Sequence, residues 1–430
     1  MSGLGRTARF CFTALLHATV LVSAQAKEVQ PGTKPAPPSP VVESWAMLFQ
    51  MMDRLRAAVA QRDLTLIHIE DPTASSAVST LLDHLIDSSR ADAAAQKIAW
   101  TIFVRDISVL HTAADAAQAG ACVELLRRLE DEFQELQKGA DSAVLKAAHQ
   151  YAERYTCPMH ADVIGGKDDT CGMCGMTLDQ LVVLVPSDTT VQHAVVATIT
   201  ADAPLQPGKA AHAVLHLRRG DNEPVTPAEL IETHTRKIHL LVVDGSLTDY
   251  HHEHPQPGAT PGDYVFDFTP NKPGPYLAWA DLRPLPMGLQ EYEKAIIAGV
   301  GKSDPITDRE PRLSGDANGL HFELSLPQVR VKVGEPVEAK LRITNPDGSG
   351  FDQLEPVMAA FAHLVGFNED RETVLHMHPT GAPISNQDER GGPELEFKIY
   401  ATKPGFVRLF CQVQVDGRQV FVPFNLEVSP

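Results

Sequence analysis

A short segment near the middle of the chain gathers side chains suited to holding a metal ion. Cys157 and His160 are separated by two residues, ten residues follow, and Cys171 and Cys174 are again separated by two residues. Three thiolates and one imidazole are the ligand set of a tetrahedral Cys3His site. The short gaps let each pair chelate one ion, and a glycine after each of the last two cysteines permits the tight turns this needs. The segment therefore predicts metal binding at these four residues.

The residues leave the role of the metal open. A segment of about 25 residues cannot bury a core large enough to hold itself together, so an ion serving only as a structural staple, typically zinc, is one interpretation. Met159, Met173 and Met176 lie in the same segment, and their soft thioethers suit Cu(I) and so favour transport or sensing. Redox use of the Cys171–Cys174 pair is a third alternative, which the absence of a surrounding βαβ pattern disfavours.

The same segment resembles the heavy-metal-binding domain of bacterial copper and silver efflux proteins and P-type metal ATPases, whose pattern is Y-x-C-P-M-H-P…C-P-x-C-G-M-x-L. The matching residues are Tyr155, Cys157, Pro158, Met159, His160, Cys171, Cys174, Gly175, Met176 and Leu178. Ala161 and Gly172 stand where the family has proline, and neither departure replaces a ligand. The match covers about residues 154–180. It implies a soft transition metal, Cu or Zn, and suggests a component of a metal efflux system as a partner.

A second set of candidate ligands occurs twice with identical spacing. In each copy one histidine precedes a His-x-His-Pro sequence by 13 residues: His239, His252 and His254 in the first copy, His363, His376 and His378 in the second. A glycine precedes the first histidine by 31 residues in one copy and by 29 in the other, and a Lys-Pro-Gly tripeptide follows each triplet. Residues 190–300 and 318–430 are therefore interpreted as tandem copies of one domain.

The geometry of a strand brings each triplet within chelating distance. A strand over 237–243 places His239 on the same face as Leu241, and two histidines two residues apart in an extended segment point the same way. Three imidazoles would suit Cu or Zn. Met377 and Cys411 are candidate soft additions in the second copy. The alternative, that these are hydrogen-bonded core histidines and a loop signature, stays open.

Both copies are similar to exported β-sandwich domains described as YtkA-like or FixH-like, which accompany copper-handling proteins. The resemblance covers about half of the chain. It implies a sandwich fold and an exported protein, and it assigns no ligands.

The elements around these motifs are of two kinds. Apolar residues recur at the 3.6-residue period over 43–153 and predict an antiparallel four-helix bundle with breaks at Gly120 and Gly139, a core thiol at Cys122, and a fifth short helix or exit over 141–155. After residue 181, β-branched runs punctuated by Pro and Gly predict antiparallel, Ig-like β-sandwiches. The fold class is thus multidomain α plus β.

The first residues predict export. Arg6 and Arg9 precede the apolar run Phe10–Val22, and Ala24-Gln25-Ala26 follows. This order is typical of a secretory signal peptide over 1–26, and the run is shorter than the about 20 apolar residues that span a bilayer. A Pro-rich linker over 27–42 would follow. We expect a periplasmic or secreted mature chain with no transmembrane segment.

Composition narrows the function. The formal net charge is −18, with 37 basic and 55 acidic residues, so nucleic acid is not an expected partner. The sequence contains no G-x-S-x-G, H-E-x-x-H or G-x-G-x-x-G motif, and we expect no enzyme activity. The prediction is an exported copper-type metal-binding protein that acts in buffering, delivery or efflux. The alternatives are a structural or interaction protein with a purely structural zinc, and a copper redox protein that would need Cys411 beside the second histidine triplet.

Overall fold

The computed structural model describes residues 27–32, 38–62, 64, 67, 70–85, 93–181, 195–219, 222–285, 288–327, 331–381, 384 and 386–430. The predicted signal peptide lies outside these residues.

Five helices form the N-terminal part of the chain. They are α1 (Pro40–Gln61), α2 (Glu70–Leu85), α3 (Ala93–Asp115), α4 (Ala119–Lys138) and α5 (Ser142–Ala152). Ser39 caps α1, and the Asp141 carboxylate caps α5 by accepting a hydrogen bond from the backbone N–H of Ala143 at 2.7 Å. Both residue types satisfy backbone donors that a helix start leaves unpaired.

The helices share one core, in which α1 contacts α2, α4 and α5. Cys122 is buried in this core, as its apolar stripe predicts. Gly139 ends α4 as expected, but the predicted break at Gly120 is wrong, because this glycine lies in the first turn of α4. The packing of the α4 stripe outweighs the low helix propensity of one glycine.

The cysteine segment forms a small module of very short strands. The strands β2 (Tyr155–Thr156), β3 (Ile164–Gly165) and β5 (Asp179–Gln180) form one antiparallel sheet. The strand β4 (Thr170–Cys171) pairs in parallel with β1 (Glu28–Val29). The stretch expected to be a free linker thus supplies a strand to the module, because the short edge at β4 offers unpaired backbone groups.

The first β-sandwich follows the module. One sheet has the order β10 (Gln256–Pro257), β11 (Asp263–Phe268), β7 (Ala211–Arg219) and β6 (Val195–Ala201). The other has the order β13 (Glu291–Ile297), β12 (Tyr276–Leu282), β8 (Ile238–Asp244) and β9 (Tyr250–Glu253). Side chains from both sheets meet in one hydrophobic core, and all named pairings in this sandwich are antiparallel.

The second sandwich repeats this plan. One sheet has the order β14 (Ser314–Ala317), β15 (Leu320–Ser325), β17 (Pro336–Thr344) and β20 (Glu394–Tyr400). The other has the order β16 (Val331–Lys332), β22 (Arg418–Ser429), β21 (Gly405–Val415), β18 (His363–Asn368) and β19 (Val374–Met377). The strand pair β8–β9 of the first copy corresponds to β18–β19 of the second, as the histidine repeat predicts.

The two sandwiches pack against each other through the sheets that carry the histidines. Leu241 and Trp279 of the first copy meet Phe367 and Phe410 of the second in one buried apolar cluster. The strand β8 is therefore buried on both faces, with alternate residues in the sandwich core and in the interface. In the described part of the chain, no helix has the length and apolar character to cross a membrane.

Candidate metal centres

Local turns position the four ligands of the cysteine module. Cys157 follows β2, and its carbonyl oxygen accepts a hydrogen bond from the His160 N–H at 3.2 Å. Cys171 ends β4, and its carbonyl accepts from the Gly175 N–H at 2.7 Å. Gly175 has a φ of +77°, a left-handed conformation that glycine adopts without steric cost. Each half of the motif is thus a tight turn that directs two side chains to one point.

The four side chains converge at the spacing of a tetrahedral site. Sγ of Cys157 lies 3.5 Å from Sγ of Cys174 and 3.6 Å from Nδ1 of His160, and Sγ of Cys171 lies 3.5 Å from the same Nδ1. All four ligand atoms lie within 4.8 Å of one another. Ligands at ordinary Zn–S and Zn–N distances would be about 3.5–3.8 Å apart in a tetrahedron. The residues present therefore fit a metal ion.

The electrostatics of the module favour a bound cation. Cys157 and Cys171 are fully buried and Cys174 nearly so. Hydrogen bonds from Cys157 and Cys174 lower the pKa of the Cys171 thiol well below its usual range. For the Cys157 thiol, the hydrogen bond with Cys171 is the main cause that raises the pKa to about 12. A metal ion that displaces the thiol protons would complete the site.

Met159, Met173 and Met176 lie around the module, half-buried against its cysteines. They give the site a soft, apolar surround, and their role as candidate metal ligands stays a prediction. Met176 also faces a cavity of about 520 Å³ between the module and the sandwiches.

The six repeated histidines lie together in the interface between the sandwiches. Their ligand nitrogens form two groups within 4.8 Å: His239, His252 and His376, and His363, His376 and His378. The second group is the triplet that the sequence predicts. The expectation of one separate site per copy is wrong, because docking of the two sheets brings His376 of the second copy into the first group.

His254 belongs to neither converging group, although its ring centre lies 4.9 Å from that of His252. Its Nε2 is buried and has no hydrogen-bond partner in the part of the chain that the structure describes. His254 therefore lies beside the cluster. His376 takes its expected place among the ligands of the first group.

Each copy orients a histidine of the other copy. Nδ1 of His252 lies 2.8 Å from Oε1 of Gln412, which belongs to the second sandwich. Nδ1 of His376 lies 2.7 Å from Oδ2 of Asp281, which belongs to the first. Asp281 pairs with His239 across neighbouring strands, and Gln412 pairs with His363 in the same way. These two orienting residues occupy equivalent positions of the repeat.

Burial favours the neutral form of six imidazoles in and beside this cluster. It lowers the pKa of His234 and of His239 to about 4 and that of His254 to about 3. It lowers the pKa values of His252, His363 and His378 well below the ordinary value. Neutral imidazole is the form that binds metals.

Sequence reasoning missed three residues of this cluster. His234 stacks on His378 with a ring-centre distance of 3.8 Å, but it is not one of the repeated histidines. Asp281 and Gln412 were overlooked because they differ in type between the copies. Their equal offset from Trp279 and Phe410 was the signal that could have identified them.

The soft additions predicted for the second copy lie on the wrong face. Met377 and Cys411 are buried in the core of the second sandwich. Since neighbouring residues of a strand point to opposite faces, Gln412 faces the histidines and Cys411 faces away. Burial raises the pKa of the Cys411 thiol. A thiolate–copper redox centre at the second triplet is therefore not formed.

Two families match parts of the chain. The heavy metal binding domain matches residues 154–179. The domain of unknown function DUF8832 matches residues 189–288 and 315–430, so each copy of the sandwich carries one block. No curated protein matches the sequence.

Three solved structures share weak similarity with the chain. The Escherichia coli adhesin FdeC is 11% identical, over 63% of this chain and 70% of the adhesin, with a TM-score of 0.19. Escherichia coli alpha-2-macroglobulin is 13% identical, over 55% of this chain and 20% of that protein, with a TM-score of 0.18. A beta-glycosidase from Bacteroides vulgatus is 11% identical, over 59% of this chain and 29% of the enzyme, with a TM-score of 0.15. The chain thus spans under a third of the last two, and scores this low support no argument about function.

Proposed function

We propose a function in heavy-metal handling for this chain, which belongs to the family of the domain of unknown function DUF8832. The protein binds a copper-type ion at Cys157, His160, Cys171 and Cys174, and acts outside the cytoplasm in metal buffering, delivery or efflux. The observation that carries the proposal is the convergence of three sulfurs and one imidazole nitrogen within 4.8 Å. That convergence lies in a segment that matches the heavy metal binding domain.

Ligand softness supports a copper-type ion. Three buried cysteines supply most of the ligand set, and three half-buried methionines surround them. Thiolate and thioether ligands select Cu(I) and zinc over harder cations. A protein with ten acidic residues to every seven basic ones also attracts cations weakly from a distance.

A purely structural zinc is the second candidate, and the position of the module favours it. Nζ of Lys398 donates to the carbonyl of Gly172 at 3.3 Å, and the ring of Tyr400 meets His160 edge-on at 5.3 Å. The backbone N–H of Gln290 donates to the carbonyl of Pro158 at 3.1 Å. An ion in the module would thus also fix a junction between the module and both sandwiches.

Metal competition separates the two candidates. We expect the zinc-loaded chain to exchange zinc for Cu(I) one for one, with its near-ultraviolet circular dichroism unchanged. The matched control is Cys122→Ser, which alters a buried thiol outside the module and leaves the metal content unchanged. If Cu(I) displaces zinc only as the module unfolds, the site is structural and metal handling is wrong.

Export and partnership are tested in cells. Export predicts that the mature chain is recovered outside the cytoplasm and that its intact mass corresponds to a first residue at Lys27. Deletion of residues 1–26 should retain the chain in the cytoplasm. A role in efflux predicts lower copper tolerance when Cys171→Ser replaces the native chain, whereas Cys122→Ser should have no effect.

A further inference from the structure

The histidine interface contains buried nitrogens without partners. His239, His252, His363, His376 and His378 are each at most 6% exposed. Among the described residues, none offers a hydrogen bond to either nitrogen of His234, His363 or His378, or to Nε2 of His376. Leaving a buried polar group unpaired is costly, so such groups call for a ligand.

Two imidazoles in this cluster direct lone pairs at each other. Nε2 of His239 lies 3.0 Å from the carbonyl of Thr233, which can only accept, so Nε2 carries the proton and Nδ1 a lone pair. Nδ1 of His252 donates to Oε1 of Gln412, so Nε2 of His252 also carries a lone pair. In the same amide orientation, Nε2 of Gln412 donates to Oε1 of Gln419 at 3.1 Å.

These two lone-pair nitrogens, Nδ1 of His239 and Nε2 of His252, lie 3.1 Å apart. Two neutral acceptors at that distance repel each other unless a cation lies between them. Two nitrogens bound to one ion at about 2.0–2.1 Å would be about 3.3 Å apart in a tetrahedron, close to the observed spacing.

A third lone pair is held in place from across the interface. Nδ1 of His376 donates to the Asp281 carboxylate, so in the neutral imidazole Nε2 carries the lone pair. Oδ1 of Asp281 accepts from Nε2 of Gln290 at 2.6 Å, which fixes the carboxylate. A carboxylate on the far nitrogen of a histidine is the usual second contact of a metal-bound imidazole.

We propose that the interface between the two sandwiches binds one borderline transition-metal ion, Cu(II) or Zn(II), through Nδ1 of His239, Nε2 of His252 and Nε2 of His376. The site requires both copies of the repeat, because the first copy supplies two ligands and the second supplies the third. His363 and His378 form a second converging group with the same His376. Because the two groups share His376, which completes one of them at a time, one ion is expected in the interface.

A cavity of about 520 Å³ lies beside the histidine cluster. It is lined by Met176 of the cysteine module and by His234 and His378 of the cluster. A soft donor and two unpartnered imidazoles therefore line the same cavity next to the proposed site.

Metal content of the full mature chain tests the proposal. Saturation with Zn(II) should give two ions per chain, one after His376→Gln and one after replacement of the three module cysteines by serine. The matched control is His216→Gln, since His216 is a partly exposed histidine that contacts Asp263 on the outer sheet of the first sandwich. It should keep two ions. The inference would be overturned if the His376→Gln variant still bound two ions, or if the native chain bound only the cysteine-dependent ion. If the native chain bound only the His376-dependent ion, the proposed function would be overturned instead.

Spectroscopy identifies the ligands. Cu(II) added to the serine variant should give one paramagnetic centre with hyperfine structure from three nitrogens, and His252→Gln should remove one of them. Competition with Zn(II) distinguishes which of the two ions binds more tightly. If nitrogen NMR at saturating metal shows a proton between Nδ1 of His239 and Nε2 of His252, a proton and no metal ion fills the gap.

Discussion

The cysteine module and the histidine interface both bring candidate metal ligands together, but they differ in how far apart those ligands lie in the sequence. The module takes its four ligands from 18 consecutive residues, 157–174, and tight turns alone bring them together. The interface joins His239 and His376, which are 137 residues apart, and depends on two folded domains docking correctly. A local chelate is therefore encoded by spacing, whereas an interdomain site is encoded by packing.

The two sites also differ in chemistry. The module offers thiolates in a soft surround, which suits Cu(I) or zinc. The interface offers neutral imidazoles oriented by one carboxylate and one amide, which suits borderline ions. A chain with both can hold ions of different hardness about one cavity.

The largest effect is expected from breaking the module. Cys171→Ser should abolish tight binding at the module, because it removes one of the four converging ligands. Structural zinc contributes about 10–16 kcal/mol of apparent binding free energy in small modules, so loss of one ligand should unfold residues 154–180 locally. Hydrogen exchange of β2 to β5 measures this, with Cys122→Ser as the control. Unchanged protection in the metal-saturated variant would contradict it.

Breaking the interface should separate the two sites. Trp279 is buried between the sandwiches, with its ring centre 5.4 Å from that of Phe367. Trp279→Ala should cost about 3–5 kcal/mol of unfolding free energy, as expected for truncation of a large buried aromatic side chain. Calorimetry should show the loss, and metal analysis should show that the interface ion is lost while the module ion remains. Loss of both ions would mean that the module depends on the docked sandwiches.

How much of each region is readable from sequence follows from this contrast. The module was predictable because two two-residue gaps specify a chelate without knowledge of the fold. The strand face that carries His239 and Leu241 was also predictable, since alternation places both in the interface. The exchange of His254 for His376 was not predictable, because it depends on how two sheets dock. His234 reaches the cluster from a loop of the first copy and has no histidine counterpart in the second, so the repeated spacing did not indicate it.

A smaller effect is expected from the residue that orients His376. Asp281→Asn should weaken metal binding at the interface about 10- to 100-fold, because the neutral amide of asparagine orients the His376 imidazole less firmly than a charged carboxylate does. The matched control is Asp267→Asn, since Asp267 contacts Nδ1 of the exposed His212 at 2.7 Å in the same way. Isothermal titration of the serine variant of the module measures the affinity. Equal affinities of the two variants would show that Asp281 has no positioning role.

Acid should loosen the interface of the metal-free chain gradually, by a small increment for each histidine in each pH unit. Unfolded histidines take up protons below about pH 6.5, whereas burial lowers the pKa of His234 and His239 to about 4 in the folded chain. The unfolded state therefore binds more protons between these values, and stability is complete above pH 6.5 and falls toward pH 4. Each such imidazole contributes about 1.4 kcal/mol per pH unit. Asp281 partly opposes this shift, and Arg283 reinforces it at His234.

Hydrogen exchange in β8 and β18, corrected for the intrinsic effect of pH and recorded with chelator, measures the loss. His239→Gln should reduce the pH dependence, because glutamine does not titrate, and His216→Gln should leave it unchanged. A flat profile from pH 7 to pH 5 would show that the imidazoles are not held neutral by burial. The ligand set of the module differs from that of the interface, because only one of its four ligands is an imidazole and the other three are thiols.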